Sequence, residues 1–313
     1  MIKKEENAAS ALSVPVISAL LLVYFSWGTT YMAMKFAIET LPSYTMLAFR
    51  FGVTGLIMYV ILRLGKIEAP NKNQWKSAAI TGGILLCLAT GSISLAQATV
   101  PSGITAVVIA AVPLWMAFFQ WAVFKQGSPG AWTILGLILG FMGVAALIAS
   151  SGSKSGGGAL SGYFLLVFAS FMWAFGSLLS RVLDSPKSPF MAISAQMLVG
   201  AFFCFIAGAL RGEIREINIA LISARSLIAM LYLIIFGSLV GYTAYIWLLK
   251  NTSPAIVSTY AFINPAVAIL VGWVLAGETL IMQEAVAVFI ILGAVMAIIK
   301  ENSKIKKLNI QKS

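Results

Sequence analysis

Histidine is absent from this chain, and only ten residues are Asp or Glu. The first absence removes HExxH metal sites and every nucleophile–imidazole couple, and no pair of aspartates lies at mid-depth, so a membrane-embedded protease or acyltransferase has no catalytic group to work with. The acids, Glu5, Glu6, Glu39, Glu68, Asp184, Glu213, Glu216, Glu278, Glu284 and Glu301, all fall at the ends of apolar stretches or between them. Proton-driven transporters commonly carry the proton on an Asp, Glu or His inside the membrane, and no such group is expected here. Cysteine is nearly absent too: Cys87 and Cys204 lie in separate apolar stretches, without the neighbouring Cys or His that a metal site needs, and read as small packing residues.

What remains is apolar. Of 313 residues, 60% are hydrophobic and 10% charged, and mean hydropathy is +0.96. A soluble domain could not cover that much apolar surface. A membrane span takes roughly 20 such residues. The stretches that qualify are 14–37, 43–63, 77–97, 102–124, 129–149, 161–183, 190–210, 227–249, 254–276 and 280–299. The first follows Lys3 and Lys4 but is longer than a signal-peptide core and has no convincing cleavage site after it, so it reads as a retained span.

The net charge of +11 does not indicate nucleic acid, because the cations sit on loops beside the membrane. With the N-terminus inside, Lys35, Lys154, Arg211, Arg215 and Arg225 fall outside, Arg50 falls within a span, and the other fifteen of 21 Lys and Arg fall inside. That asymmetry obeys the positive-inside rule. The expected fold is therefore an all-α integral membrane protein with ten transmembrane helices, N-in and C-in.

The chain also repeats itself. FSWGTTYMAMK (25–35) aligns with FMWAFGSLLSR (171–181), setting Trp27 on Trp173 and Lys35 on Arg181. IAAVPLW (109–115) aligns with AFINPAV (261–267), pairing Pro113 with Pro265, and LGFMGVA (139–145) with FIILGAV (289–295), pairing Gly143 with Gly293. Each half holds five spans, an odd number, so the halves enter from opposite faces. Two inverted-topology five-helix repeats are a recurring transporter plan, with the substrate site near the midplane between them. The expected organisation is a cytoplasmic tail 1–13, a first repeat 14–149, a Gly/Ser-rich periplasmic linker 150–160, a second repeat 161–299 and a basic cytoplasmic tail 300–313.

The Trp-Gly pair of the first span, the LAFRF run (47–51), the related prolines Pro113 and Pro265, and LAGETL (275–280) resemble the EamA family of the drug/metabolite transporter superfamily. The resemblance covers about residues 16–300. It implies a ten-helix bundle that exports metabolites or amino acids by alternating access across a bacterial cytoplasmic membrane. The first half departs from the pattern: it reads VFKQGSP (123–129) where the second has LAGETL, so Glu278 reads as a loop cap.

Candidate substrate-binding residues follow from polarity at mid-depth. Trp27 and Trp173 are placed to face each other and hold an apolar group or a cation. Gly28 permits close helix approach, and Thr29 and Thr30 offer hydroxyls. Thr90, Ser94 and Gln97 make one polar stripe, Tyr242 and Tyr245 stand one turn apart, Trp115 follows Pro113, and Ser258, Tyr260 and Asn264 precede Pro265. Each hydroxyl has the alternative of bonding its own helix. Arg50, costly in a span unless paired or wetted, suits a substrate carboxylate or a helix lock. Lys35 and Arg181 are gate candidates, with Glu39 and Asp184 as partners, or snorkelling cations.

The reading is an exporter of amino acids or related amphipathic compounds, working by facilitated efflux or exchange. Its alternatives are an exchanger of phosphorylated or other organic anions and a proton-coupled drug pump, although small multidrug pumps, similar around GTT, carry Glu where this chain has Phe25. No enzyme activity, cofactor, metal or nucleic-acid partner is expected. The partners are a small-molecule substrate and the bilayer. A monomer contains both repeats and suffices; a dimer is left open.

Overall fold

In lipid a backbone can satisfy its own polar groups by coiling into helix. The computed structural model is helical, with no strand, over its described residues, which are 13–123, 130–152, 156–252, 254–257 and 259–312. The main segments are α1 (Val14–Ala37), α2 (Ser43–Leu64), α3 (Lys72–Ala96), α4 (Ser102–Ala122), α5 (Ala131–Gly152), α6 (Gly156–Leu179), α7 (Pro189–Leu210), α8 (224–251), α9 (Pro254–Val257), α10 (Tyr260–Ala276) and α11 (Met282–Lys312). Their starts are written locally. Pro15 and Pro189 occupy the first turns of α1 and α7, where a missing N–H costs nothing. Asn71 and Gln74 form a reciprocal capping box on α3, and Ser223 caps α8 by accepting from the Ser226 amide.

Among the described residues, eight helices are long and apolar enough to cross a membrane, and two apolar helices, Ile263–Ala276 and Met282–Ala297, are shorter. This is a multi-pass membrane protein. The sequence predicts ten full spans. Eight are recovered among the described residues; α10 has 17 residues and ends at Gly277, whose φ of 63 is a left-handed conformation that glycine adopts freely.

Four helices are irregular at depth. Segments Gly83–Ala89 of α3 and Leu233–Val240 of α8 are π-helical, and Thr90 Oγ1 donates to the Leu85 carbonyl five residues back. α4 breaks at Ala110 and Ala111, just before Pro113, which has no N–H to continue the ladder. α10 carries Pro265 inside it. π-bulges and proline breaks gather where a membrane helix lines a cavity.

Close packing elsewhere frames that region. α2 lies along α7, α5 along α11, and α1 against α10. At Gly28 an added Cβ would sit 2.6 Å from Val267 Cβ, so α1 and α10 meet there only because the side chain is absent. Cys87 and Cys204, distant in sequence, lie on the packed helices α3 and α7, both free and buried, and the Cys204 thiol donates to the Leu86 carbonyl at 3.7 Å.

Candidate substrate cavity

α3 just past its π-helical segment and the irregular stretches of α4, α8 and α10 gather with α1 around a cavity of about 390 Å³. α1 contributes Trp27, Thr30, Tyr31 and Met34; α2, Arg50 and Phe51; α3, Thr90 and Ile93; α8, Gly237, Tyr242 and Tyr245; and α10, Tyr260, Asn264 and Pro265. Pro113, Met116 and Gln120 line it from α4, and Trp173 and Arg181 from α6 and the turn after it. Met34, Ile93 and Ala106, which also lines the cavity, are buried, whereas Arg181 is exposed. No Asp or Glu lines the cavity among the described residues.

Trp27 is the centre of an aromatic group. Its ring lies 5.4 Å from Tyr242, 5.0 Å from Tyr245 and 5.3 Å from Tyr260, centroid to centroid. Edge-on contacts dominate, as the ring quadrupoles favour. Gly241 makes room: a Cβ there would come 2.6 Å from Trp27 Nε1.

Arg50 is 5% exposed and donates from Nε to Ser238 Oγ at 3.1 Å. No carboxylate pairs with it among the described residues. Its guanidinium passes Gly237, where a Cβ would lie 3.0 Å from Nη2, and so reaches the cavity. A buried guanidinium held by one neutral hydroxyl keeps most of its donors for an anion. Asn264 is 7% exposed and its Oδ1 has no hydrogen-bond partner among the described residues.

The structure thus brings Trp27, Thr30, Arg50, Trp173, Tyr245, Tyr260, Asn264 and Arg181 onto one cavity wall. Two expected residues are elsewhere. Trp115 points away from the cavity into a ring cluster with Phe118, Phe141 and Phe171, and its Nε1 donates to Ser170 Oγ at 3.0 Å. Gln97 is 2% exposed, donates to the Tyr31 carbonyl at 2.8 Å and ties the end of α3 to α1. Of its stripe, Ser94 is buried off the cavity and only Thr90 faces it. Thr30 faces the cavity but spends its proton on the Trp27 carbonyl at 2.6 Å. Thr29 is buried off the cavity, donates to the Phe25 carbonyl at 2.6 Å and meets the Tyr232 hydroxyl at 2.6 Å. Trp27 and Trp173 share the cavity but are not in ring contact among the described residues. Ser258 and the VFKQGSP residues 124–129 lie outside the described residues.

The expected ion pairs are also redrawn. Lys35 does not meet Glu39, which pairs with Arg225 at 3.3 Å. It meets Glu278 at 2.6 Å. Glu278 is more than a loop cap: it also accepts from the Ser102 amide and hydroxyl at 2.9 Å each and from the Gly103 amide at 3.2 Å. Burial pushes its carboxyl up, but the Lys35 hydrogen bond and the two amides outweigh that and hold it below its ordinary value. Sequence reasoning had Glu278 in view and lacked only its partners, which come from α1 and α4. Arg181 has no ion pair with Asp184. Tyr31, on the cavity wall, was missed because its position on α1 carries no periodic signal.

The family model described as the EamA-like transporter family matches residues 14–149 and 160–300. An uncharacterized inner membrane transporter, YedA of Escherichia coli K12, is 34% identical over 91% of this chain and 90% of its own length. A protein named as a probable amino-acid metabolite efflux pump, from Salmonella typhimurium LT2, is 24% identical over 87% of this chain and 91% of its own. A solved crystal structure superposes with a TM-score of 0.58 at 17% identity, covering 93% of this chain and 98% of that one, a likeness of fold. Cavity, helical bundle and sequence agree: this chain belongs to the EamA-like transporter family and is a membrane transporter.

Proposed function

We propose that this transporter exports small amphipathic metabolites, amino acids foremost, across the cytoplasmic membrane by alternating access. One observation carries the reading: the cavity sets a buried, carboxylate-free Arg50 beside the Trp27 aromatic group. The first suits a carboxylate and the second an apolar side chain. The likeness to a probable amino-acid metabolite efflux pump supports the same class.

Alternating access is supported by how the two ends differ. With the N-terminus inside, the Lys35–Glu278 end is outer and closed, and Arg181 stands at an inner mouth. Ten spans in two inverted repeats are supported by the paired irregularities, π-helical segments in α3 and α8 and proline breaks in α4 and α10. Since no acid lines the cavity among the described residues, the cargo moves down its own gradient or by exchange. A second reading, exchange of phosphorylated anions, draws on both Arg50 and Arg181 lining the cavity; the exposure of Arg181 supports a place at the mouth over one beside a deep phosphate.

The test is untargeted metabolomics of the medium. Cells expressing the protein are compared with cells expressing a Trp27→Ala, Arg50→Ala variant at matched abundance. Amino acids accumulating outside only with the intact protein support the reading; phosphorylated compounds instead support exchange. An unchanged medium refutes export.

A further inference from the structure

Asn264 raises a question that the exporter reading leaves open. Burying a polar oxygen with no donor costs about 1–3 kcal/mol. Among the described residues, Ser26, Ser94, Gln97, Thr252 and Asn264 each bury an unpartnered side-chain oxygen. Only Asn264 lines the cavity. A leucine would fill a similar volume without that cost, so the oxygen is explained if something in the cavity donates to it.

We infer that Asn264 Oδ1 receives the α-ammonium group of the cargo, so that this site selects α-amino acids over carboxylic acids that lack the amine. The inference rests on the exporter reading. Arg50 and Asn264 both belong to the wall around Trp27. Tyr260, one turn before Asn264 on α10, packs its ring on Trp27 at 5.3 Å between centroids. Thr30, one turn after Trp27 on α1, stands beside Arg50: Thr30 Cγ2 and Arg50 Nη2 lie 2.8 and 3.0 Å from where a Gly237 Cβ would be. Arg50 therefore offers donors, and Asn264 an acceptor, to the same cavity.

An α-amino acid carries the matching pair on adjacent atoms. Its carboxylate takes the guanidinium. Its ammonium has three N–H groups and meets no acid among the described lining residues; Oδ1 takes one, and the ring faces and hydroxyl oxygens of the Trp27 group stand in the same wall for the others. A carboxylic acid without the amine leaves Oδ1 buried and unpaired, and a site built around a polar partner rejects the analogue that lacks it.

The test uses the purified full chain in detergent. Equilibrium binding is measured for leucine, methionine, phenylalanine and tryptophan, each beside its desamino carboxylic acid. The intact protein is expected to bind an amino acid at least about tenfold tighter than its desamino partner, the step expected for one hydrogen bond to a charged group. Asn264→Leu should weaken the amino acid by about 10- to 100-fold and leave the desamino acid within about twofold. The unchanged desamino affinity shows that the variant is folded. Asn264→Ser, which keeps an oxygen, should retain part of the preference, and Arg50→Gln should weaken both compounds.

Equal weakening of both compounds by Asn264→Leu would mean that the residue serves the carboxylate or the packing, and would overturn the inference. So would an intact protein that binds desamino acids as tightly as amino acids, although the exporter reading would survive that result. Failure of the intact protein to bind any of these compounds would overturn both.

Discussion

Lys35 Nζ lies 2.6 Å from Glu278 Oε1 and ties the last turn of α1 to the loop between α10 and α11, while the same carboxylate holds the first amides of α4. Three parts of the chain thus close on one acid. The carboxyl side chain is 11% exposed and the lysine 32%, so the pair is only partly screened. Such a junction opposes separation of α1 from α10. Loosening it should open that end of the cavity. Ala106→Cys places a thiol on the buried part of the cavity wall. Its labelling by a membrane-impermeant maleimide added outside should rise about 5- to 10-fold when Glu278→Gln is added, the change given by about 1 kcal/mol or a little more for a half-screened pair. Unchanged labelling would show that the pair does not hold this end shut.

The same junction fixes a pH dependence. The Glu278 carboxyl is held below its ordinary value in the closed arrangement, despite burial. A lowered value means that the closed form is favoured wherever the free carboxyl would be ionised, and loses that advantage as pH falls through the lowered value. Closure should therefore be indifferent to pH from 6 to 8 and weaken only on strong acidification. Normalised at each pH to the labelling of the same thiol in denatured protein, which cancels the thiol's own ionisation, the maleimide assay on Ala106→Cys should be flat across the neutral range. In the Glu278→Gln background it should be raised and flat. A titration of labelling near neutrality would contradict the assignment of the junction to Glu278.

How far the sequence carries the argument differs from residue to residue. Hydropathy is set by composition over roughly 20 residues, and it survives into a helical bundle with little loss. Arg50 could be named because a cation inside an apolar run is costly wherever it points. Trp115 could not be placed, because its apolar helix offers no polar face to tell cavity from packing, and only the neighbouring Phe141 and Phe171 decide it. Gln97 failed for the opposite reason: it is polar and buried, but its partner is a backbone carbonyl on another helix. Lys35 and Glu278 were both conspicuous, yet the contact joining them spans 243 residues and depends on how the helices close.

Trp115 gives a direct check on that distinction. If it is a packing residue, Trp115→Phe keeps most of its ring contacts and should leave efflux within about twofold. Trp115→Ala empties the cluster of Phe118, Phe141 and Phe171 and should cost about 3 kcal/mol or more, seen as a lowered thermal midpoint of the purified protein. Loss of efflux in the phenylalanine variant at full stability would place Trp115 at the cargo.

Gly28 tests the contact that holds α1 against α10. A methyl group there would stand 2.6 Å from both Val267 Cβ and Val267 Cγ1, closer than carbon atoms can approach, and 3.3 Å from the Asn264 carbonyl. Gly28→Ala must push the helices apart, and overpacking of this kind costs about 1–3 kcal/mol. Because the Trp27 group hangs on the adjacent residue, the displacement should reach the cavity as well: binding should weaken together with stability. Val267→Ala removes one of the two colliding atoms, Cγ1, and keeps Cβ, so the double variant Gly28→Ala, Val267→Ala should regain part of both. The coupling is read from the thermal midpoints of the four proteins in the cycle. Additive losses would show that the two residues do not press on each other, and that glycine serves α1 by its flexibility rather than by its size.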